Sequence, residues 1–282
     1  LPKLSLEVRA MVGDGSPDPS EEVEVSVELL TRHLDRYPLL KGAYLLLSRD
    51  PEFSVLTEMS NIQAVKRMLY NDHGIVHAKI AAGASLEIFT RIVKSGRAPT
   101  TLAHKTASSF EESLLVVLLG AMLHDIGNSV HREHHELVGA ILSKPILDRV
   151  LKRLFPDDRR KAYMIRSEVL NAIVSTAYDI ECLTVEAGSV KLGDGTDMAG
   201  GRARLPYRLG KHDIHAVSAL SIEKVTIGHG RSKPVAINVY MRESAGVFQV
   251  EKVMLPKLET SNLKDLVEIR AFIGTHDVIS WL

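Results

Sequence analysis

Apolar residues recur at helical spacing through most of the first two hundred positions. Val23, Val27, Leu30 and Leu34 predict an amphipathic helix over 20–36, opened by Ser20 and the acidic pair Glu21-Glu22, which favour the positive end of a helix dipole. Turn formers fill residues 12–20, and residues 41–48 form a short apolar segment whose type the spacing leaves open. A helical pattern runs from Leu56 to Tyr70, and Ile80, Ala81 and Ala84 carry the same period onward. Residues 113–123 are apolar on all sides, the mark of a buried helix. Residues 145–162 are charged and interrupted by Pro145 and Pro156, so they read as helix ends and an exposed linker; helical periodicity returns from Met164 to Ala177. After Lys211 the pattern changes. A helix over 213–223, strands at Val225–Ile227 and Val235–Met241, a helix over 243–255 and a closing strand over 266–273 are expected there. The implied class is mainly α with a small C-terminal α+β domain. It divides into a helical extension (1–55), a central helical domain (56–211) and the α+β domain (212–282).

Composition narrows the field. Thirty-five basic and thirty-five acidic residues give a formal net charge of zero, which provides no strong signal for nucleic acid. One cysteine, Cys182, excludes an intrachain disulfide framework and any multi-thiolate zinc site, and reads as a packed small hydrophobe. The apolar run 113–123 is too short to span a bilayer and no signal-peptide pattern opens the chain, so no membrane partner and a cytoplasmic location are expected. Leu1 in place of Met points to numbering that begins inside a longer product.

The candidate chemistry sits at the end of the buried run, which delivers His124-Asp125 followed by Ile126-Gly127-Asn128. A charge at such a place must be paired or bound to a metal. A lone His-Asp pair is more often a salt bridge in a core. Here, however, seven of the twelve histidines fall between His73 and His135. Imidazole and carboxylate without thiolate suit a divalent ion such as Mn, Fe, Ni, Zn or Mg. His73 and His77, four apart, share one face if the segment is helical, and so do His131 and His135. Past Asp194 and Asp197, glycines are followed by Arg202, Arg204, Arg208 and Lys211. This stretch is either an anion-binding lip, with Arg202 and Arg204 forking onto phosphate, or a solvent-facing connector.

His77, then His124-Asp125, then Asp194 within Glu186–Asp197 resembles the H…HD…D signature of the HD-domain metal-dependent phosphohydrolases, over about residues 65–205. The resemblance implies a helical bundle in which His77, His124, Asp125 and Asp194 hold one divalent ion. Tyr70-Asn71-Asp72-His73-Gly74-Ile75-Val76-His77 is similar to the first motif of the class I cyclic-nucleotide phosphodiesterases, which implies His73 as general acid, although Gly74 stands where that family has Asn. His135 with Gly139-Ala140 resembles an element that supplies a second ion in binuclear members, with His131 beside it. Two departures stand against this: Ile173–Ala177 carries no histidine, and the Gly-Tyr-Pro motif of the cyclic-di-GMP hydrolases is absent.

The function implied is hydrolysis of a small phosphorylated substrate, nucleotide-like, with one or two divalent ions. Asp125 would hold the attacking water, His73 would protonate the leaving oxygen, and Arg202 or Arg204 would orient the phosphate. A di-iron HD-type oxygenase and a nucleotide-sensing regulatory module are the alternatives, and a homo-oligomer is left open.

Overall fold

The computed structural model describes residues 21–200, 214–274 and 276–281. Strand β1 (Val23–Glu24) leads into helices α1 (Val27–Arg36), α2 (Pro38–Ser48) and α3 (Pro51–Asn61), the last running on as a wider π-helical turn over Ile62–Arg67. Helices α4 (Ile75–Lys94), α5 (Thr100–Ala103), α6 (Phe110–Leu123), α7 (His135–Leu154), α8 (Arg159–Val174) and α9 (Val185–Thr196) complete the bundle. Helix α10 (Ile214–Leu220), strands β2 (Ile222–Gly228) and β3 (Val235–Met241), a helical run over 244–259 ending in α11 (Leu255–Glu259), and strands β4 (Val267–Ile273) and β5 (His276–Trp281) follow. The fold is mainly α with a C-terminal α+β region, as the apolar pattern predicts.

Helix α6 is the axis. Ser109 caps it by accepting from Glu112 N, and every residue from Ser113 to Leu123 is buried. Helices α4, α8 and α9 pack around it. Gly193 sets the approach of α9 to α4: a Cβ there would lie 2.1 Å from Ser85 Oγ and 2.6 Å from Ser85 N. That approach brings the end of α9 beside the start of α4, where the site lies. Gly127 does the same after α6, since a Cβ would lie 1.9 Å from His135 O.

The sheet order is β1-β2-β3-β4-β5, with β3 and β4 parallel and the other neighbours antiparallel. The 244–259 run is the crossover that a parallel pair needs. Val235, Ile237, Val239 and Val267, Ile269, Ala271 join the same core as the helices.

Four local expectations change. The first helix begins at Val27, because Val23 and Glu24 pair with Ile227 and Thr226 as a sheet edge. Residues 145–154 remain in α7 despite Pro145, since Ile146, Leu147, Val150 and Leu151 are buried and hold the turn in place. The break shrinks to 155–158, where Asp158 caps α8. Strand β4 does not close the sheet, for β5 pairs with its free edge. His73 and His77 do not share a helix: Gly74 is the N-cap of α4, and His73 precedes it outside any helix or strand. The 3.6-residue period persists across 56–84, but Leu69 at φ 55 turns the chain out of the helix. Among the described residues no helix is long and apolar enough to cross a membrane.

Candidate metal centre

His77 stands in the first turn of α4, His124 caps the end of α6, Asp125 follows it, and Asp194 lies in the last turn of α9. Their inner atoms converge. His77 Nε2 lies 3.2 Å from His124 Nε2, 3.3 Å from Asp125 Oδ2 and 3.2 Å from Asp194 Oδ1. His124 Nε2 lies 3.4 Å from each of the same two oxygens. Donors at about 2.1 Å from one ion stand about 3.0–3.4 Å from one another, so the four atoms have the spacing of a coordination shell.

Protonation sharpens the point. His77 Nδ1 donates to Asp197 Oδ2 at 2.8 Å, and His124 Nδ1 donates to Ala121 O at 2.7 Å. Carboxylate and carbonyl oxygens only accept, so both rings carry their proton outward and turn a lone pair inward. Two imidazole lone pairs and two carboxylate oxygens then face one point. A single shared proton cannot answer five contacts; a divalent cation can. The residues fit a metal ion.

Burial works against the charge of Asp194, yet the Lys257 ammonium beside it helps hold its carboxyl well below the usual carboxylate range. Asn128 Nδ2 donates to Asp125 Oδ1 at 2.9 Å, and Ser60 Oγ donates to Asp125 O at 3.1 Å, fixing the turn that carries the ligand.

The comparisons decide the kinship. A family model, HD domain, matches residues 78–199, beginning one position after His77. The chain is 43% identical over 231 residues to the uncharacterized protein MJ1020 of Methanocaldococcus jannaschii, covering 82% of this chain and 88% of that one. This chain belongs to the HD-domain family. That family places it in the metal-dependent hydrolase superfamily. No solved structure matches.

Around the HD centre the other expected residues divide. His73 is brought in by the non-helical segment before α4: its Nδ1 lies 2.6 Å from Asp125 Oδ2, within a second candidate ligand group of His73, His77 and Asp125. His135 is buried, 3.5 Å from Asp125 Oδ1 through Nε2. His131 is not brought in. It is exposed in the turn before α7, and its Nδ1 accepts from Glu133 N at 3.1 Å, because α7 begins only at His135 and gives the two histidines no common face. Arg202 and Arg204 lie outside the described residues.

Lys257 is the residue the sequence reading missed. Carried by α11 and 4% exposed, it donates to Asp194 Oδ2 at 2.7 Å and to Thr176 O at 3.3 Å, with Tyr178 beneath it at 4.7 Å. Burial disfavours its charge, but Asp194 more than compensates and raises its pKa. Asp194 is thereby divided, one oxygen toward the histidines and the other toward the ammonium. The available signal was a single basic residue among Met254, Leu255 and Leu258.

A cavity of about 450 Å³ opens onto this centre, lined by His73, Asp125, Arg132, Asp194 and Lys257, with Tyr70 and Tyr178 at 40% and 42% exposure on its walls.

Proposed function

We propose that this chain is a metal-dependent phosphohydrolase that cleaves a nucleotide-like phosphoester. The supporting observation is the convergence of four acceptor atoms, with both imidazole protons committed outward, at the floor of a cavity that also holds Arg132 and Lys257. His77, His124, Asp125 and Asp194 would hold the ion. When bound, the ion supplies Lewis acidity, drawing charge from a phosphoryl oxygen and acidifying water.

The chain's own residues do the rest. Asp125 accepts from His73 Nδ1 and thereby orients the ring, leaving Nε2 to hand a proton to the departing oxygen. The cations of Arg132 and Lys257 favour a phosphorylated substrate over a neutral one. Tyr70 and Tyr178 present ring surface that suits a planar base. The cavity volume falls within the range of small-molecule sites.

The test is turnover of phosphomonoesters, cyclic nucleotides and nucleoside polyphosphates with Mn, Ni, Co and Mg added singly. Hydrolysis of one class, lost on chelation, is expected. His73→Ala should lower kcat by about 10²–10⁴ on a substrate with a poor leaving group while keeping its metal. It should be nearly spared on a nitrophenyl ester, which leaves without the proton. Equal losses on both would remove His73 from the acid role, and no turnover in any combination would sink the hydrolase reading.

A further inference from the structure

His135 and Arg132 pair beside the metal-facing Asp125. The turn between α6 and α7 ends at His134, whose φ of 58 puts a non-glycine residue in the left-handed region and swings Arg132 back over His135. His135 Nδ1 lies 2.9 Å from Arg132 O and 3.1 Å from Glu136 Oε2, two acceptors, so it carries the proton. Arg132 Nη1 lies 3.1 Å from His135 Nε2, and a guanidinium only donates, so the Nε2 lone pair is taken by that N–H.

The same Nη1 donates to Asn128 Oδ1 at 3.2 Å, and Asn128 Nδ2 donates to Asp125 Oδ1. A positive charge is thus fixed beside the outer oxygen of a metal-facing carboxylate, on the wall of the cavity. A second divalent ion bridging Asp125 and His135 would have to occupy this place. Both candidate ligand groups among the described residues contain His77, and neither includes His131 or His135.

We propose that the Arg132 guanidinium takes the place of a second metal ion: it holds His135 and receives phosphoryl oxygens of the substrate, so that the centre works with one ion. This rests on the phosphohydrolase reading above. It disfavours two-iron chemistry at this centre. Arg132 suits the task because its planar fork meets phosphate through two N–H groups at once.

The full chain, stripped and titrated with Mn, tests it, with inorganic phosphate as the probe of the anion position. Wild type should bind one Mn per chain, and His135→Ala should still bind one. Phosphate should bind the Mn-loaded Arg132→Met variant about tenfold or more weakly, and Arg132→Lys should recover part of the loss by restoring charge without the fork. Two Mn in wild type, loss of an ion in His135→Ala, or unchanged phosphate affinity in Arg132→Met would each overturn the proposal. If wild type binds no Mn, the metal reading itself falls, and the same phosphate comparison on the metal-free protein still decides whether Arg132 is an anion site.

Discussion

Helix α4 carries two buried polar groupings ten residues apart, and they obey opposite rules. At Glu87, His33 Nε2 lies 3.1 Å from one carboxylate oxygen, and Arg91 Nε donates to the other at 2.6 Å. Arg91 Nη2 also reaches Glu21 O at 2.6 Å, tying the start of the described chain to the bundle. Each acceptor there meets a donor. At His77, three turns earlier on the same helix, the inner atoms are all acceptors. Both groupings combine histidine with carboxylate in a dry interior, so residue type does not separate them. What separates them is where the protons go. The Glu87 group pairs each carboxylate oxygen with a donor of the chain, whereas the His77 group, in which His73 Nδ1 meets Asp125 Oδ2, has the spacing and donor set of a cation site.

The largest break in that contrast is His124→Gln. It removes one converging lone pair while keeping a polar side chain of similar reach. Mn affinity should fall by more than the about 100-fold that an outer partner of a ligand costs. The metal-free variant should melt at or above the metal-free wild-type temperature, because one of four facing acceptors has gone. A calorimetric scan of both stripped proteins checks this. A large loss of stability in the metal-free variant would show that His124 is a core-pairing residue like His33.

Glu87→Gln should behave in the reverse way. Burial works against the Glu87 charge, yet His33 and Arg91 hold its pKa down, from 4.5 to about 2. A depressed acid contributes stability above its unfolded value and loses it as pH falls from about 4.5 through about 2. That span is worth on the order of 3 kcal/mol. The substitution should cost about that much near neutral pH and flatten the acid limb of the stability curve. Mn affinity should stay within about twofold of wild type. Urea titrations at several pH values, with both proteins in the same metal state, give the comparison.

Much of this was legible from residue order because helices repeat locally. The run 113–123 announced a buried helix, and a histidine and an aspartate at its end could only be paired or bound. Asp197, at the end of the ligand-bearing helix, accepts from His77. What failed depended on chain breaks or distant partners. The i,i+4 spacing of His73 and His77 gave the right neighbourhood through the wrong geometry, because Gly74 is the N-cap and α4 starts only at Ile75. His131 followed the same period and was carried outward by the turn. Lys257 reaches Asp194 from 63 positions away, across a sheet crossover that no local pattern encodes.

The smallest break concerns Asp197 itself, and it turns on an asymmetry between the two inner histidines. His124 gives its outward proton to the neutral carbonyl of Ala121, while His77 gives its own to a carboxylate. An anionic partner makes the ring a better electron donor at Nε2 and fixes its tautomer more firmly than a carbonyl does. Asp197→Asn keeps an oxygen that can accept but removes the charge, so His77 becomes electronically like His124. Mn affinity should fall by about 10–100-fold, less than for loss of a direct ligand, with one ion still bound at saturation. Asp197→Ala, which removes the acceptor as well, should fall further. If both variants bind Mn like wild type, His77 needs no anionic partner and Asp197 serves only to end α9. If both lose the ion outright, Asp197 lies closer to the metal than its 2.8 Å contact with His77 Nδ1 implies.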